Sequence, residues 1–243
     1  MHLIKLNAID STNSYLRQLS NDKQLIDYTV VVATSQFKGR GQMGTTWQSQ
    51  SGKNLMASVF IDVSFLDTEK AFYLSMVTSL AISSTLKEMQ IRNVKVKWPN
   101  DILADQLKIS GVLIENVIKN NKLQASIIGF GLNVNQLDFD NLPSATSMHR
   151  VSGRVFNLDE ILAAVIRHLK IYIELLKTGN FKQIKALYET ELFRKNKPST
   201  FQNAKGLMFA GIIKGVSTSG HLQIMIEDDI LKEFDLKEVT LRY

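Results

Sequence analysis

Three observations predict an α+β chain with a small all-β unit at its C-terminal end. Alternating and β-branched segments are interleaved with helical ones over residues 1–195. Two segments, 69–90 and 157–179, carry a helical apolar pattern. After residue 195 that pattern stops, and short strand signals separated by turn residues follow one another to 243. Of the 243 residues, 44% are hydrophobic, enough for a large core with no disulfide or metal staple.

Leu3–Ile9 alternates as a strand, and Asp10–Ser11–Thr12–Asn13 offers caps for a short helix through Leu19. Thr29–Thr34 is a β-branched run and reads as a buried strand. Residues 36–54 are polar, glycine-bearing and without helical period, hence a loop. Leu55–Asp62 is a strand, and Glu69–Gln90 a long, mostly buried helix. Val94–Trp98 is a strand ended by Pro99. Leu107–Val117 and Leu123–Val134 are strands joined by the hairpin Lys119–Asn120–Asn121–Lys122. Asn157 with Glu160 opens a helix that ends near Gly179, and Asn180 is placed to cap another through Leu192. The stretch Arg194–Lys205 reads as polar and basic. Strand signals at 207–216, 221–226, 230–235 and 237–241 then make a β-barrel, expected over 196–243. A unit of roughly 45 residues rarely folds alone, so it is expected to dock on the first domain.

The formal net charge is +6 and Cys is 0. Absence of cysteine excludes disulfides, thiolate zinc sites and acyl transfer through an enzyme thioester. No run reaches the ~18 apolar residues of a membrane span, and the N-terminus lacks a signal core. The expected compartment is the cytoplasm, with no membrane partner. The four histidines, His2, His149, His168 and His221, show no ligand spacing.

Three constellations stand out. Gly39–Arg40–Gly41–Gln42–Met43–Gly44 satisfies G-x-G-x-x-G, but a strand rather than a helix follows, so a dinucleotide fold is disfavoured. Glycines there admit a ligand to the backbone, and Arg40 is a forked donor for phosphate or carboxylate. Trp47 in this polar loop reads either as an aromatic plate for a flat heterocycle or as a ring packed inward. In the second constellation, Lys97–Trp98–Pro99–Asn100–Asp101 is followed by Lys108–Ile109–Ser110–Gly111. Asp101 and Lys108 can face each other there, as part of a site or as a surface ion pair. The third is Gly129–Phe130–Gly131–Leu132–Asn133, where glycines inside a strand mark a bulge or a close approach.

With Ser11–Thr12–Asn13, these motifs occur in the order and spacing of biotin protein ligases, which the chain resembles from about residue 5 to 240. The resemblance is to the short form, whose catalytic domain would begin at residue 1 with no DNA-binding domain before it. It implies a mixed sheet with helices, related to class II aminoacyl-tRNA synthetases, over 1–195, and an SH3-like barrel over 196–243. It implies that biotin attacks ATP to give biotinyl-5′-AMP and pyrophosphate, with Mg²⁺. A lysine of a biotin carboxyl carrier domain then takes the biotinyl group.

By resemblance, Ser11, Thr12, Asn13 and Gln36 would meet the ureido head, with Gly111 at the same pocket. Arg40, the Gly41 amide and Gln42 would face carboxylate and phosphate oxygens. Lys108 would neutralise charge at the carboxylate, and Asp101 would orient or deprotonate the acceptor lysine. Trp47 would stack on adenine. Lys97, Asn100 and Asn133 would face the triphosphate, with Asn133 also a Mg²⁺ ligand. The family loop usually reads G-R-G-R-x-G-R-x-W; here Gln42 and Thr45 replace two arginines, so a looser hold on the adenylate is expected, with Lys38 or Lys53 as substitutes for the lost charge.

Lipoate-type ligases share this chemistry but carry a different glycine signature. A basic nucleic-acid-binding protein, suggested by the +6, is disfavoured. The cations of Lys182–Lys205 alternate with Phe181, Ile184, Leu187 and Leu192 like a solvated helix face, and no DNA partner is expected. A monomer or a homodimer is compatible with the resemblance.

Overall fold

The computed structural model describes residues 2–139 and 142–243. In chain order its main elements are β1 (His2–Ile9), α1 (Thr12–Asp22), β2 (Thr29–Gln36), β3 (Leu55–Asp62), α2 (Phe72–Glu88), β4 (Val94–Lys97), β5 (Asp101–Ala104), β6 (Leu107–Lys119) and β7 (Lys122–Leu132). Then come α3 (Met148–Ser152), α4 (Leu158–Lys177), α5 (Phe181–Glu191), β8 (Pro198–Asn203), β9 (Met208–Val216), β10 (Leu222–Met225), β11 (Leu231–Phe234) and β12 (Val239–Arg242).

Strands β1 to β7 form one sheet of order β1-β2-β3-β7-β6-β5-β4. β1 and β2 are parallel, with α1 as the crossover. The remaining pairs are antiparallel, so the sheet is mixed, as expected. Side chains alternate across it and build two apolar layers. Val30, Val59 and Ile128 belong to the main core with α2, on which α4 and α5 pack. Val31 and Ile127 face the other way and meet Leu16 of α1. α1 starts where Ser11 caps it, accepting the Ser14 N–H.

The last five strands form a second, antiparallel sheet of order β11-β10-β9-β8-β12. Its inner residues Phe201, Ile213, Leu222 and Ile224 are continuous with the main core. Two polar contacts fasten it: Trp98 donates its indole N–H to the Gly220 carbonyl (2.8 Å), and the Val216 N–H donates to Glu189 Oε1 (3.2 Å).

Three readings are corrected, and one short helix was not foreseen. β5 lies inside what the sequence presents as a turn, because four residues after Pro99 and Asn100 carry too short a pattern to register. β8 occupies the stretch read as polar and basic. Proline is tolerated at its first position, and Ser199 and Phe201 are its buried residues. α3 is a short helix between Ser147, which caps it, and Gly153, which ends it at φ 72°. Asn180 makes no side-chain cap; its amide donates instead to Thr178 Oγ1 (2.8 Å). Asn157 does cap α4, accepting from the Asp159 and Glu160 amides.

The basic stretch is in part structural. Lys185 and Lys195 both pair with Glu189, and Arg194 donates to Ser199 Oγ and the Pro198 carbonyl. These contacts lie where α5 meets the second sheet.

Candidate active site

The parallel strands β1 and β2 end at one edge of the sheet. β1 leads into Ser11–Thr12–Asn13 and β2 into Gln36 and the glycine loop, and both segments line one cavity of about 260 Å³. Carboxyl ends of parallel strands are where open sheets place ligands, because the chain leaves the sheet there. Asn100, Asp101, Lys108 and Gly111 close the opposite wall, and Gly129 and Gly131 form the floor.

The floor explains the glycines. A methyl group at Gly129 would lie 2.1 Å from Asn13 Oδ1, and one at Gly131 2.3 Å from Trp47 Cε2. The sheet stays in register there, so close approach, not a bulge, is the reason for glycine. Trp47 packs inward across Gly131, the second of its two readings, and lines the cavity as well. Its indole Nε1 is buried with no hydrogen-bond partner. The ring is 5.8 Å from Lys108 Nζ.

Polar contacts order the walls. The Thr12 N–H donates to Gln36 Oε1 at 2.7 Å. Ser58 Oγ is 2.8 Å from Thr12 Oγ1 and 2.5 Å from Asn13 Oδ1. Asn13 Nδ2 donates to Glu115 Oε2 (2.9 Å) and to the Leu113 carbonyl (3.3 Å). Arg40 Nη2 donates to the same Glu115 oxygen at 2.9 Å. Across the cavity Lys108 Nζ lies 2.6 Å from Asp101 Oδ1.

The turn that presents Asp101 is held from four sides. Asn100 Nδ2 donates to the Val112 carbonyl (2.5 Å), and the Val112 N–H returns to Asn100 O (3.1 Å). The Pro99 carbonyl accepts from Ser75 Oγ of α2 and from Tyr188 OH of α5, each 3.3 Å away. Burial pushes the Tyr188 phenol far above the usual range, so it stays a donor. Trp98, through its bond to Gly220, ties the turn to the second sheet.

Residues 6–133 match the model of the biotin/lipoate A/B protein ligase family. The chain is 30% identical over 239 residues to the bifunctional ligase/repressor BirA of Bacillus subtilis, covering 95% of this chain and 71% of that one. The chain belongs to this family. The BirA of Escherichia coli is 28% identical over 239 residues, covering 98% of this chain and 73% of that one. The biotin protein ligase from Aquifex aeolicus, solved in complex with biotin and ATP, superposes with a TM-score of 0.83. It is 29% identical and covers 99% of this chain and 98% of its own.

Within the ligase, most of the motif residues singled out from the sequence meet at the one cavity: Ser11, Thr12, Asn13, Gln36, Arg40, Gly41, Gln42, Trp47, Asn100, Asp101, Lys108 and Gly111. Two do not. Lys97 holds its amine 4.7 Å above the Tyr243 ring, in a second cleft against β12. Asn133 is buried and donates its amide to the Thr146 carbonyl at 3.0 Å. The Gly41 amide, expected at the ligand, donates to the Thr45 carbonyl (2.7 Å) within the loop. Lys38 pairs with Asp10 at 2.8 Å, and neither Lys38 nor Lys53 lines the cavity.

Sequence reading missed Ser58 and Glu115. Ser58 left a faint trace, a fully buried hydroxyl amid the apolar run of β3. Glu115 left none, since one acid on a strand with alternating exposure looks like a solvated position.

Proposed function

We propose that the chain joins biotin to ATP as biotinyl-5′-AMP and passes the biotinyl group to a lysine of a biotin carboxyl carrier domain. The observation that carries this reading is the single cavity built jointly by 11–13, the glycine loop, the Asn100–Asp101 turn, Lys108 and the two floor glycines.

In the first step a biotin carboxylate oxygen attacks the α-phosphorus of ATP, and the bond to the β-phosphate breaks to release pyrophosphate. Two anions must be held in line, which asks for positive charge and positioning rather than a protein nucleophile. Arg40 and Lys108 face the cavity from opposite walls and serve that need. Trp47 offers its open face to adenine. In the second step the acceptor amine attacks the mixed-anhydride carbonyl, an amide forms, and AMP departs with the electron pair. An amine with pKa near 10.4 is almost wholly ammonium at neutral pH, and Asp101 takes its proton.

The residues present do not fit a resident Mg²⁺. Among the described residues no group of three or more His, Cys, Asp or Glu could hold a metal. Asp101 is paired with Lys108, and Asn133 does not line the cavity. Any Mg²⁺ would arrive with the triphosphate.

Residues 1–195 serve as the catalytic domain and 196–243 as a docked barrel that steadies the Trp98–Asn100 turn. Among the described residues no helix is long and apolar enough to cross a membrane, and we place the reaction in the cytoplasm with ATP. Biotin-dependent pyrophosphate release from ATP, measured with and without a carrier domain and with lipoate in parallel, tests the proposal. No release with biotin would overturn it.

A further inference from the structure

We propose that Glu115 is a positioning residue that sets the hydrogen-bond polarity of the cavity's head end through Asn13. The inference rests on the ligase reading above and deepens it.

One carboxylate oxygen, Glu115 Oε2, accepts from Asn13 Nδ2 and from Arg40 Nη2, each at 2.9 Å. An ionised carboxylate only accepts, so the Asn13 side that faces it must be the NH₂ group. The second Asn13 hydrogen goes to the Leu113 carbonyl at 3.3 Å. Both donors are thereby spent on the protein.

The amide oxygen is left to face Ser58, 2.5 Å away. Ser58 owns one hydrogen and gives it to this oxygen. The Thr12 hydroxyl, 2.8 Å from Ser58 Oγ, has its own acceptor in Gln36 Oε1 at 3.1 Å. The acceptor-only Glu115 carboxylate, with the Leu113 carbonyl beside it, thus fixes which end of the Asn13 amide meets Ser58.

Asn13 lines the cavity, and its amide oxygen, with one bond from Ser58, keeps a second lone pair. What Asn13 offers a ligand is therefore an acceptor, which selects an N–H donor such as that of a cyclic urea. Were the amide reversed, the same residue would present a donor and select a carbonyl.

Four variants test this by direct binding of biotin and, separately, ATP, beside pyrophosphate release by the wild type. Asn13→Asp sets two carboxylates face to face and is expected to weaken biotin about tenfold or more. Glu115→Gln still accepts through its amide oxygen and is expected to stay within about threefold of wild type. The double variant Asn13→Asp with Glu115→Gln turns the new Gln NH₂ toward the new carboxylate at position 13 and its oxygen toward Arg40, and is expected to recover most of the biotin affinity. Glu115→Ala should weaken biotin about tenfold while leaving ATP affinity within about threefold. The proposal is overturned if the double variant binds biotin no better than Asn13→Asp, or if Glu115→Ala weakens biotin and ATP equally. A wild type that releases no pyrophosphate would instead sink the ligase reading.

Discussion

The Trp98 indole donates to the Gly220 carbonyl across 2.8 Å, linking the turn that carries Asn100 and Asp101 to the C-terminal sheet. Trp98→Phe keeps an aromatic ring and removes this bond. A neutral hydrogen bond contributes about 1 kcal/mol, so unfolding free energy should fall by about that much. Biotin transfer should slow several-fold while biotin binding holds. Gly220→Ala should cost more, about 1–3 kcal/mol, because its methyl would meet Phe72 Cγ at 2.2 Å and φ there is +95°. Denaturant titration of both variants checks the order; equal stability of Gly220→Ala and wild type would contradict it.

The two floor glycines separate the two substrates. Gly129→Ala presses on Asn13 and should raise KM for biotin, whereas Gly131→Ala displaces the Trp47 indole and should raise KM for ATP. Loss of an aromatic stacking surface is worth about 0.5–1.5 kcal/mol, or roughly two- to tenfold. The chain has two tryptophans, so a Trp98→Phe background isolates the Trp47 fluorescence. Swapped or equal effects on the two KM values would count against this floor.

Asp101 and Lys108 form one ion pair but divide the reaction between them. Lys108→Ala should reduce pyrophosphate release about a hundredfold or more, the scale of losing a charge stabiliser. Asp101→Asn should leave pyrophosphate release nearly intact and slow lysine transfer about a hundredfold, with partial recovery at high pH as the amine deprotonates unaided. Single-turnover assays of each half-reaction distinguish the two residues.

Gln42 stands at the cavity wall with no charge. Gln42→Arg should slow escape of the adenylate about tenfold by adding one charge-assisted hydrogen bond to a phosphate oxygen. Filter-binding of labelled adenylate measures it, and an unchanged release rate refutes it.

Stability should also fall in acid. Glu88 accepts from Arg167 and His168, and these bonds hold its carboxyl below the usual range. A depressed carboxylate contributes stability above its unfolded pKa of about 4.3 and loses it as pH falls through the folded value. Melting curves of wild type and Glu88→Gln should therefore differ at neutral pH and converge in acid.

Periodicity made most of the large sheet legible, because long strands such as Leu55–Asp62 and the 107–134 hairpin carry many apolar positions. β8 escaped because Pro198 heads it and only Phe201 is a large apolar side chain. At the site, glycine and proline leave marks in a sequence, so the loop, the turn and the floor were readable. Lys97 is the cross-strand partner of Asp101, yet its amine reaches the Tyr243 ring and does not line the cavity. Neighbours in a motif need not serve one site. Glu115 shows the converse: it meets Asn13 and Arg40 although no local pattern distinguishes it.

Asn13 and Glu115 are joined across 102 positions of chain. On a ribosome, the segment through β3 can present Ser11–Asn13 and the glycine loop, but no floor exists until β7 has emerged and paired. A ligand captured in the finished cavity therefore holds the start of α1 and the strands β2, β3, β6 and β7 together at once. Saturation at about a hundred times Kd would add about 2.7 kcal/mol to global unfolding, and amide exchange should slow along those strands, not in the glycine loop alone. Supply of the small molecule would then set how long this chain survives in its cell.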